Sequence, residues 1–282
     1  MPGTLFVVAT PIGNLEDISA RALRILREVA VIAAEDTRRT AHLLARYAIT
    51  TPTTSLHGHN EAKKTPALIE RLQRGDNIAL VSDAGTPGIS DPGQGLVRTA
   101  LDAGVKVEPI PGPSAVMAAL AVSGFPTSTF TFLGFPPIRL KDRNTWFSEV
   151  LAAGRTVVFF EAPHRIRATL EQLLEVIGNR SVVICRETTK AHEQLVKGPI
   201  STVLATSIEV KGEFTVVIDI GDTTKYGAPS PVSDGQLLAE FGQLTKYAGS
   251  SKRHVVNMLA RKHGRAPNEV YAALERGRKS TE

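Results

Sequence analysis

Short apolar runs alternate along the first part of the chain with longer segments in which apolar residues return every three or four positions. The runs "LFVVA" (5–9), "VIAA" (31–34), "IALV" (78–81) and "VKVEPI" (105–110) read as strands, short and mostly continuous in their apolarity. Residues 17–30, 39–48, 62–75 and 95–104 read as helices. In the first of these, Ile18, Ala22, Leu23, Leu26 and Val29 share one face, and Asp17 stands where an N-cap belongs. Gly75 and Gly104 close two of the others. This βα alternation predicts a largely parallel sheet.

From residue 111 the pattern changes. A helix over 111–124 follows a proline turn. Strands are predicted at 128–135, 156–161, 181–187, 193–198 and 213–220, with helices at 143–154 and 165–178. This order has more antiparallel character. Residues 221–235 are rich in Gly, Pro, Ser and Thr without apolar period, and read as a linker. Three helical segments follow, at 236–247, 251–264 and 267–277, with Ser250 as a cap and Pro267 at a first helical position. The expected fold class is α/β, with two α/β domains and a small helical C-terminal module. The boundaries fall at 1–112, 113–222, a linker over 223–235, and 236–282.

Charge changes this picture at one end only. The net charge of the 282 residues is +5. Residues 245–282 hold nine Lys or Arg and three Glu, so they carry +6 and the remainder carries −1. A localised basic excess suits a polyanionic partner, and suits equally a solvated helix face. The single cysteine, Cys185, has apolar flanks and reads as a buried small hydrophobe. No run approaches the roughly 20 apolar residues of a membrane span, and the opening "MPGTLFVVATPIG" has no basic leader pattern. A cytoplasmic protein is expected.

The unusual residues gather at strand ends. "ATPIGN" (9–14) follows the first strand, and Gly13 would let a ligand approach the backbone. "EDTRRT" (35–40) follows the second, with Glu35 and Asp36 able either to act on a substrate or to pair with Arg38 and Arg39. "SDAGTPGISDPG" (82–93) is far longer than the usual strand-to-helix connection of about two to six residues. "PGPSA" (111–115) follows the last. The carboxyl ends of parallel strands share one edge, where such folds bind ligands. Asp83 can bond a ligand hydroxyl or amine, or cap loop amides. Asp91, before Pro92 and Gly93, reads as a loop anchor or helix cap. His57 and His59 in "LHGHNE" lack a third ligand nearby, so a loop bonded through imidazole and Asn60 is expected rather than a metal. Arg21, Arg24 and Arg27 read as a solvated face.

These stretches, together with "FFEAPHR" (159–165), "RETTKAHE" (186–193) and "KGEFTVVI" (211–218), occur in order over residues 5 to about 220. In that combination the chain resembles the tetrapyrrole methylase superfamily of S-adenosylmethionine-dependent methyltransferases, in its ribosomal-RNA-modifying form. "TPIGN" and "SDAGTPG" stand where porphyrin-precursor relatives have a more glycine-rich first loop and a later G-D-P. The resemblance implies two α/β domains with the cofactor in the cleft between them, usually in a homodimer. It implies S-adenosylmethionine against Pro11, Ile12, Gly13, Asp83, Ala84, Gly85, Thr86, Pro87, Ile89, Ser114 and Ala115, with Glu161, Ala162 and Glu187 from the second domain. It implies 2′-O-methylation of a cytidine ribose in the decoding region of small-subunit ribosomal RNA, free or in the assembled subunit.

A ribose hydroxyl is a poor nucleophile, and Glu35, Asp36, Glu61, His164 and Glu187 are the candidate bases. Arg38, Arg39, Arg165, Lys190, Lys252, Arg253, Arg261 and Lys262 are candidate RNA contacts. No metal and no membrane are expected. Two other readings remain beside this one: methylation of a tetrapyrrole precursor, and a non-catalytic RNA-binding ribosome assembly factor.

Overall fold

The computed structural model describes residues 1–207, 209, 211–221, 233–248, 252–263 and 267–279, without the side chains of 243, 246–248, 254, 261–263 and 278–279. It divides into two compact units. One comprises Met1–Ala118 and Glu187–Glu193, the other Ala119–Arg186 and Gln194–Glu282.

The first unit is a doubly wound sheet. Its elements are β1 (Thr4–Val8), α1 (Ala20–Glu28), β2 (Val31–Ala34), α2 (Thr37–Arg46), β3 (Thr53–Ser55), α3 (Glu61–Gln73), β4 (Ile78–Val81), α4 (Gln94–Asp102) and β5 (Lys106–Ile110). The helix α5 (Ala115–Ser123) carries the chain across the boundary. The strand order is β3-β2-β4-β1-β5, and every pairing is parallel. Along β2 and β4 all positions are buried, because both faces are covered. Ile32, Ala34, Ala79 and Val81 meet Ala22, Ile25, Leu26, Leu43 and Leu44 of α1 and α2. Val31, Ala33, Ile78 and Leu80 meet Leu68, Leu72, Leu96 and Ala100 of α3 and α4 on the opposite face. The period of two in the strands thus sorts one run of apolar residues into two cores.

The second unit holds β6 (Phe130–Phe132), α6 (Leu140–Ala152), β7 (Thr156–Glu161), α7 (Ile166–Ile177), β8 (Ser181–Arg186), β9 (Gln194–Pro199), α8 (Ile200–Ala205) and β10 (Phe214–Asp219). Its sheet has the order β6-β7-β10-β8-β9, with β10 antiparallel to both neighbours and β6 parallel to β7. Trp146, Phe147, Leu170, Leu173 and Ile200 pack on Phe159, Ile184, Val216 and Ile218. Cys185 is buried in β8. The helices α9 (Asp234–Ala248), α10 (Lys252–His263) and α11 (Pro267–Lys279) count with this unit. Their core of Leu237, Phe241, Val255, Leu259, Val270 and Leu274 extends to Leu151 and Val176 of α6 and α7. The expected linker residues 223–232 and the expected cap Ser250 lie outside the described residues.

Three local differences from the pattern reading have physical causes. The edge strand β3, "TTS", has no apolar run to reveal it. Helix α1 starts at Ala20, because the Ala22 amide donates to the Ser19 hydroxyl, while Asp17 ends a short 3-10 turn whose cap is Asn14. Helix α8 has only six residues, too few to show a period.

Leu80 is 1% exposed and one of its methyls lies 2.7 Å from where a Cβ on Gly93 would stand. It therefore underlies the end of the long loop that follows its own strand. Leu80→Ala is expected to cost about 3 kcal/mol of unfolding free energy, measured by urea denaturation.

Candidate functional site

Because β1, β2, β4 and β5 run parallel, the loops after them emerge at one edge of the first sheet. Two hydrogen-bonded links tie them. The Thr10 amide donates to the Gly85 carbonyl at 2.8 Å and the Gly85 amide returns to Thr10 at 3.0 Å, joining the loops after β1 and β4. The Asp36 amide donates to Asp83 Oδ1 at 2.9 Å, and the Asp83 amide donates to Glu35 Oε2 at 3.2 Å. This second pair exchanges side-chain and backbone groups between the loops after β2 and β4.

The acidic residues are thereby given structural partners. Asp83 has its other oxygen 3.5 Å from Arg39. Asp36 caps α2 through the Arg38 amide and holds the Arg38 guanidinium at 2.7 and 3.1 Å. Arg38 holds the Asp36 carboxyl well below the usual carboxylate range. Arg38 and Arg39 both remain largely exposed. Glu61 accepts the Leu96 amide at 3.0 Å, so it serves the start of α4.

The loop 82–93 holds its shape through residues that tolerate positive φ. Gly85, Gly88 and Gly93 have φ of 81°, 82° and 119°, and Ser90 joins them at 63°. The loop closes where Gln94 Nε2 donates to the Gly88 carbonyl at 3.0 Å. Ala84 and Gly88 are half-buried, Gly85 is buried with its amide and carbonyl both bonded to Thr10, and Ile89 is 52% exposed. That combination of small residues and one apolar side chain fits a ligand with both polar and apolar parts. Pro11 and Ile12 are buried beside it in chain order after Thr10. Ser114 caps α5 through the Met117 amide at 3.4 Å, next to Ala115.

Gly13 is required for a different reason from ligand approach. A Cβ there would stand 2.4 Å from Lys190 Cγ and 3.0 Å from the Thr188 carbonyl oxygen. The Asn14 amide donates to Thr189 Oγ1 at 3.1 Å. Segment 187–193 thus rests on the first turn, with Glu187 and Thr189 at φ 52° and 68° and Glu187 paired to Lys190 at 2.9 Å.

In the second unit, Glu161 is enclosed. Its carboxylate accepts from the Ala162 amide at 2.7 Å, from Arg165 at 2.6 Å and from the Thr169 hydroxyl. Arg143 donates to Thr169 at 2.7 Å and to Gln172 at 2.8 Å, and burial pulls its guanidinium down. Arg165 is therefore committed to an interior pair, and Glu161 holds the turn at Ala162 rather than presenting its oxygens. His164 is exposed on that turn. Lys252 and Arg253 are exposed on α10, while the side chains of Arg261 and Lys262 lie outside the described residues.

His57 lies in a bonded loop. Its amide donates to Asn60 Oδ1 at 2.8 Å and its Nε2 faces Asn60 Nδ2 at 3.1 Å. Its Nδ1 is buried without a partner. Among the described residues no group of three or more His, Cys, Asp or Glu is placed to hold a metal ion, and no helix is long and apolar enough to cross a membrane.

Of the two roles expected of Asp91, the helix cap is not seen: the N-cap position of α4 is Gly93, with no side-chain cap bond, and Glu61 accepts the Leu96 amide. Burial pushes the Asp91 carboxyl up to about 6, the Glu35 and Asp83 charges add to the rise, and a hydrogen bond with Ser82 opposes it. A polar loop residue before Pro carries no such signal in one dimension, since its acidic neighbours are Ser82-adjacent and two strands away in sequence.

The chain matches the model of the Tetrapyrrole (Corrin/Porphyrin) Methylases over residues 4–204. Ribosomal RNA small subunit methyltransferase I of Halalkalibacterium halodurans is 47% identical over 219 residues, covering 77% of this chain and 76% of that protein. The protein of the same name from Haemophilus influenzae is 40% identical over 279 residues and covers 96% of each. Among solved structures, diphthine synthase superposes with a TM-score of 0.60 at 16% identity, covering 88% of this chain and 96% of that one. That last likeness concerns the fold alone.

The raised Asp91 carboxyl has a consequence for stability. Unfolded, it titrates near 3.8; folded, near 6. Between those values the folded chain keeps a proton that the unfolded chain has lost, so stability from this group is full below about 3.8 and is lost as pH rises through about 6. Asp91→Asn is expected to gain on the parent as pH rises from 4 to 7, read as the urea midpoint at several pH values. Parallel pH curves for the two proteins would contradict this.

Proposed function

The chain belongs to the tetrapyrrole (corrin/porphyrin) methylase family, and from that premise we propose that it is an S-adenosylmethionine-dependent methyltransferase of small-subunit ribosomal RNA. Its product is a cytidine ribose methylated at the 2′-hydroxyl in the decoding region. The observation that carries this reading is similarity over 96% of the chain, basic C-terminal helices included, to a protein named for ribosomal RNA methylation. The protein works in the cytoplasm as a homodimer, on the RNA or the assembled small subunit.

S-adenosylmethionine, when bound, supplies a methyl group already activated by its sulfonium. The residues of this chain hold and align it, and alignment with exclusion of water gives much of the acceleration in such transfers. Pro11, Ile12 and Gly13, the Asp83, Ala84, Gly85, Thr86 and Pro87 segment with Ile89, and Ser114 with Ala115 form the cradle. The observation behind it is the positive-φ backbone of loop 82–93, fastened to its neighbours on both sides. Glu161 supports Ala162 from within. Glu187, paired with Lys190, braces the first turn.

The test is methylation of small ribosomal subunits and of naked RNA by the purified protein with labelled S-adenosylmethionine, followed by mapping of the modified nucleotide. Label on a cytidine 2′-oxygen supports the reading. Label on a precorrin-type substrate instead would give the tetrapyrrole reading, and no binding of S-adenosylmethionine would give the assembly factor.

Truncating the C-terminal helices would expose the apolar core they share with Leu151 and Val176, so charge reversal is the better probe of RNA contact. Lys252→Glu with Arg253→Glu is expected to weaken RNA binding and flatten the slope of log affinity against log salt by about two. An unchanged slope would assign these helices a structural role.

A further inference from the structure

The edge strand β3 consists of hydroxyl residues, and at its carboxyl end they meet a cation. Lys64, in the first turn of α3, donates from Nζ to Thr54 Oγ1 at 3.0 Å and to Ser55 Oγ at 3.1 Å. Asn60 Nδ2 donates to the same Ser55 oxygen at 3.2 Å. Asn60 is held in that orientation because its Oδ1 accepts the His57 backbone amide at 2.8 Å. A hydroxyl has two acceptor positions and one proton to give. Both acceptor positions of Ser55 are filled, so its proton is left to donate. Thr54 also accepts from Lys64, and the ammonium has a third N–H beyond these two bonds. Lys64 is half-buried, and among the described residues no carboxylate pairs with it. Glu61, three positions earlier on α3, is taken up by the Leu96 amide at 3.0 Å. The cluster therefore holds one positive charge and several spare donors without an acidic acceptor of its own. That is the complement of an anion.

The sheet sets where this cluster stands. Ala34 pairs with Ser55 on one side and with Val81 on the other. Ser55 is therefore level with the start of loop 82–93 and two strand spacings from it, about 10 Å. Between them, at the start of α2, the largely exposed Arg38 and Arg39 are each matched by a carboxylate, Asp36 and Asp83. Lys64 has no such match, and its charge is available to a ligand. We propose that Lys64, Thr54 and Ser55 form a subsite for a backbone phosphate of the RNA, beside the loop that holds the methyl donor. This rests on the RNA methyltransferase reading above. The phosphate oxygens accept from the Lys64 ammonium and from the two hydroxyls. Such contacts fix the register of a nucleic acid strand and carry no base sequence themselves. The hydroxyls that deprive β3 of an apolar run are thus the groups that receive the phosphate.

The experiment measures binding of small ribosomal subunits to the parent, Lys64→Met, Lys64→Arg and Ser55→Ala at several salt concentrations. S-adenosylmethionine affinity by calorimetry and the urea midpoint are measured alongside. Lys64→Met should weaken subunit binding roughly tenfold and reduce the slope of log affinity against log salt by about one. Its donor affinity should stay within about twofold of the parent. Lys64→Arg keeps the charge and should restore the slope. Ser55→Ala removes a neutral donor, so it should weaken binding roughly threefold with the slope unchanged. A Met variant with parental affinity and slope would overturn the proposal alone. So would a loss of affinity that accompanies a lowered urea midpoint at unchanged slope, which would make Lys64 a strut for β3. Inorganic phosphate that binds the parent and not the Met variant, without displacing subunits, would make the site one for a free anion and overturn its assignment to RNA. A parent that binds no subunits would overturn the functional reading, and the proposal with it.

Discussion

Between the second and fourth strands of the parallel sheet, two acidic side chains trade backbone amides. Glu35 takes the amide of Asp83, and Asp83 takes the amide of Asp36. A parallel sheet leaves its strand ends with unpaired amides at one edge, and each needs an acceptor. Here the acceptors come from the neighbouring loop, so neither loop holds its conformation without the other. The Thr10–Gly85 exchange does the same on the other side of β4. The long loop after β4 is therefore fastened on both flanks, and its twelve residues keep a defined path despite three glycines and a left-handed Ser90.

That arrangement divides labour among the acids. Glu35, Asp83 and Glu61 fasten loops or helix ends through backbone amides. Burial raises the proton affinity of Asp91, the charges of Glu35 and Asp83 add to the rise, and a hydrogen bond with Ser82 opposes it. Segment 187–193 adds a further restraint by resting on Gly13 and Asn14, at the expense of positive φ at Glu187 and a β-branched Thr189. Such conformations persist where surrounding contacts over-determine them.

The second unit uses charge in another way. Glu161, Arg165, Thr169 and Arg143 form a buried polar network under the turn after β7. Removing one member would leave its partner buried and unpaired, which is far more costly than losing an exposed pair. Residues expected to meet ligand or RNA, Glu161 and Arg165, thus have an interior duty that no motif displays.

Most of the architecture was legible in one dimension. The continuous apolar runs of β2 and β4 and the three-to-four spacing in α1 and α3 reflect burial, and burial follows from local apolarity. The βα alternation then requires one edge for the strand ends, so the clustering of loops 9–14, 35–40, 82–93 and 111–115 followed as well. What escaped were elements too short or too polar to carry a period, β3 and α8, and the starting residue of α1. Partner choice escaped too. Whether Glu35 meets an arginine or the Asp83 amide depends on distances across 48 positions of sequence. Whether Asp91 or Glu61 serves α4 depends on how α3 lies against it, which only the packed cores decide. The sequence by itself determined that the unusual loops share one edge of the first sheet; tertiary structure decided which carboxylates fasten those loops, because partners far apart along the chain meet only once the cores are packed.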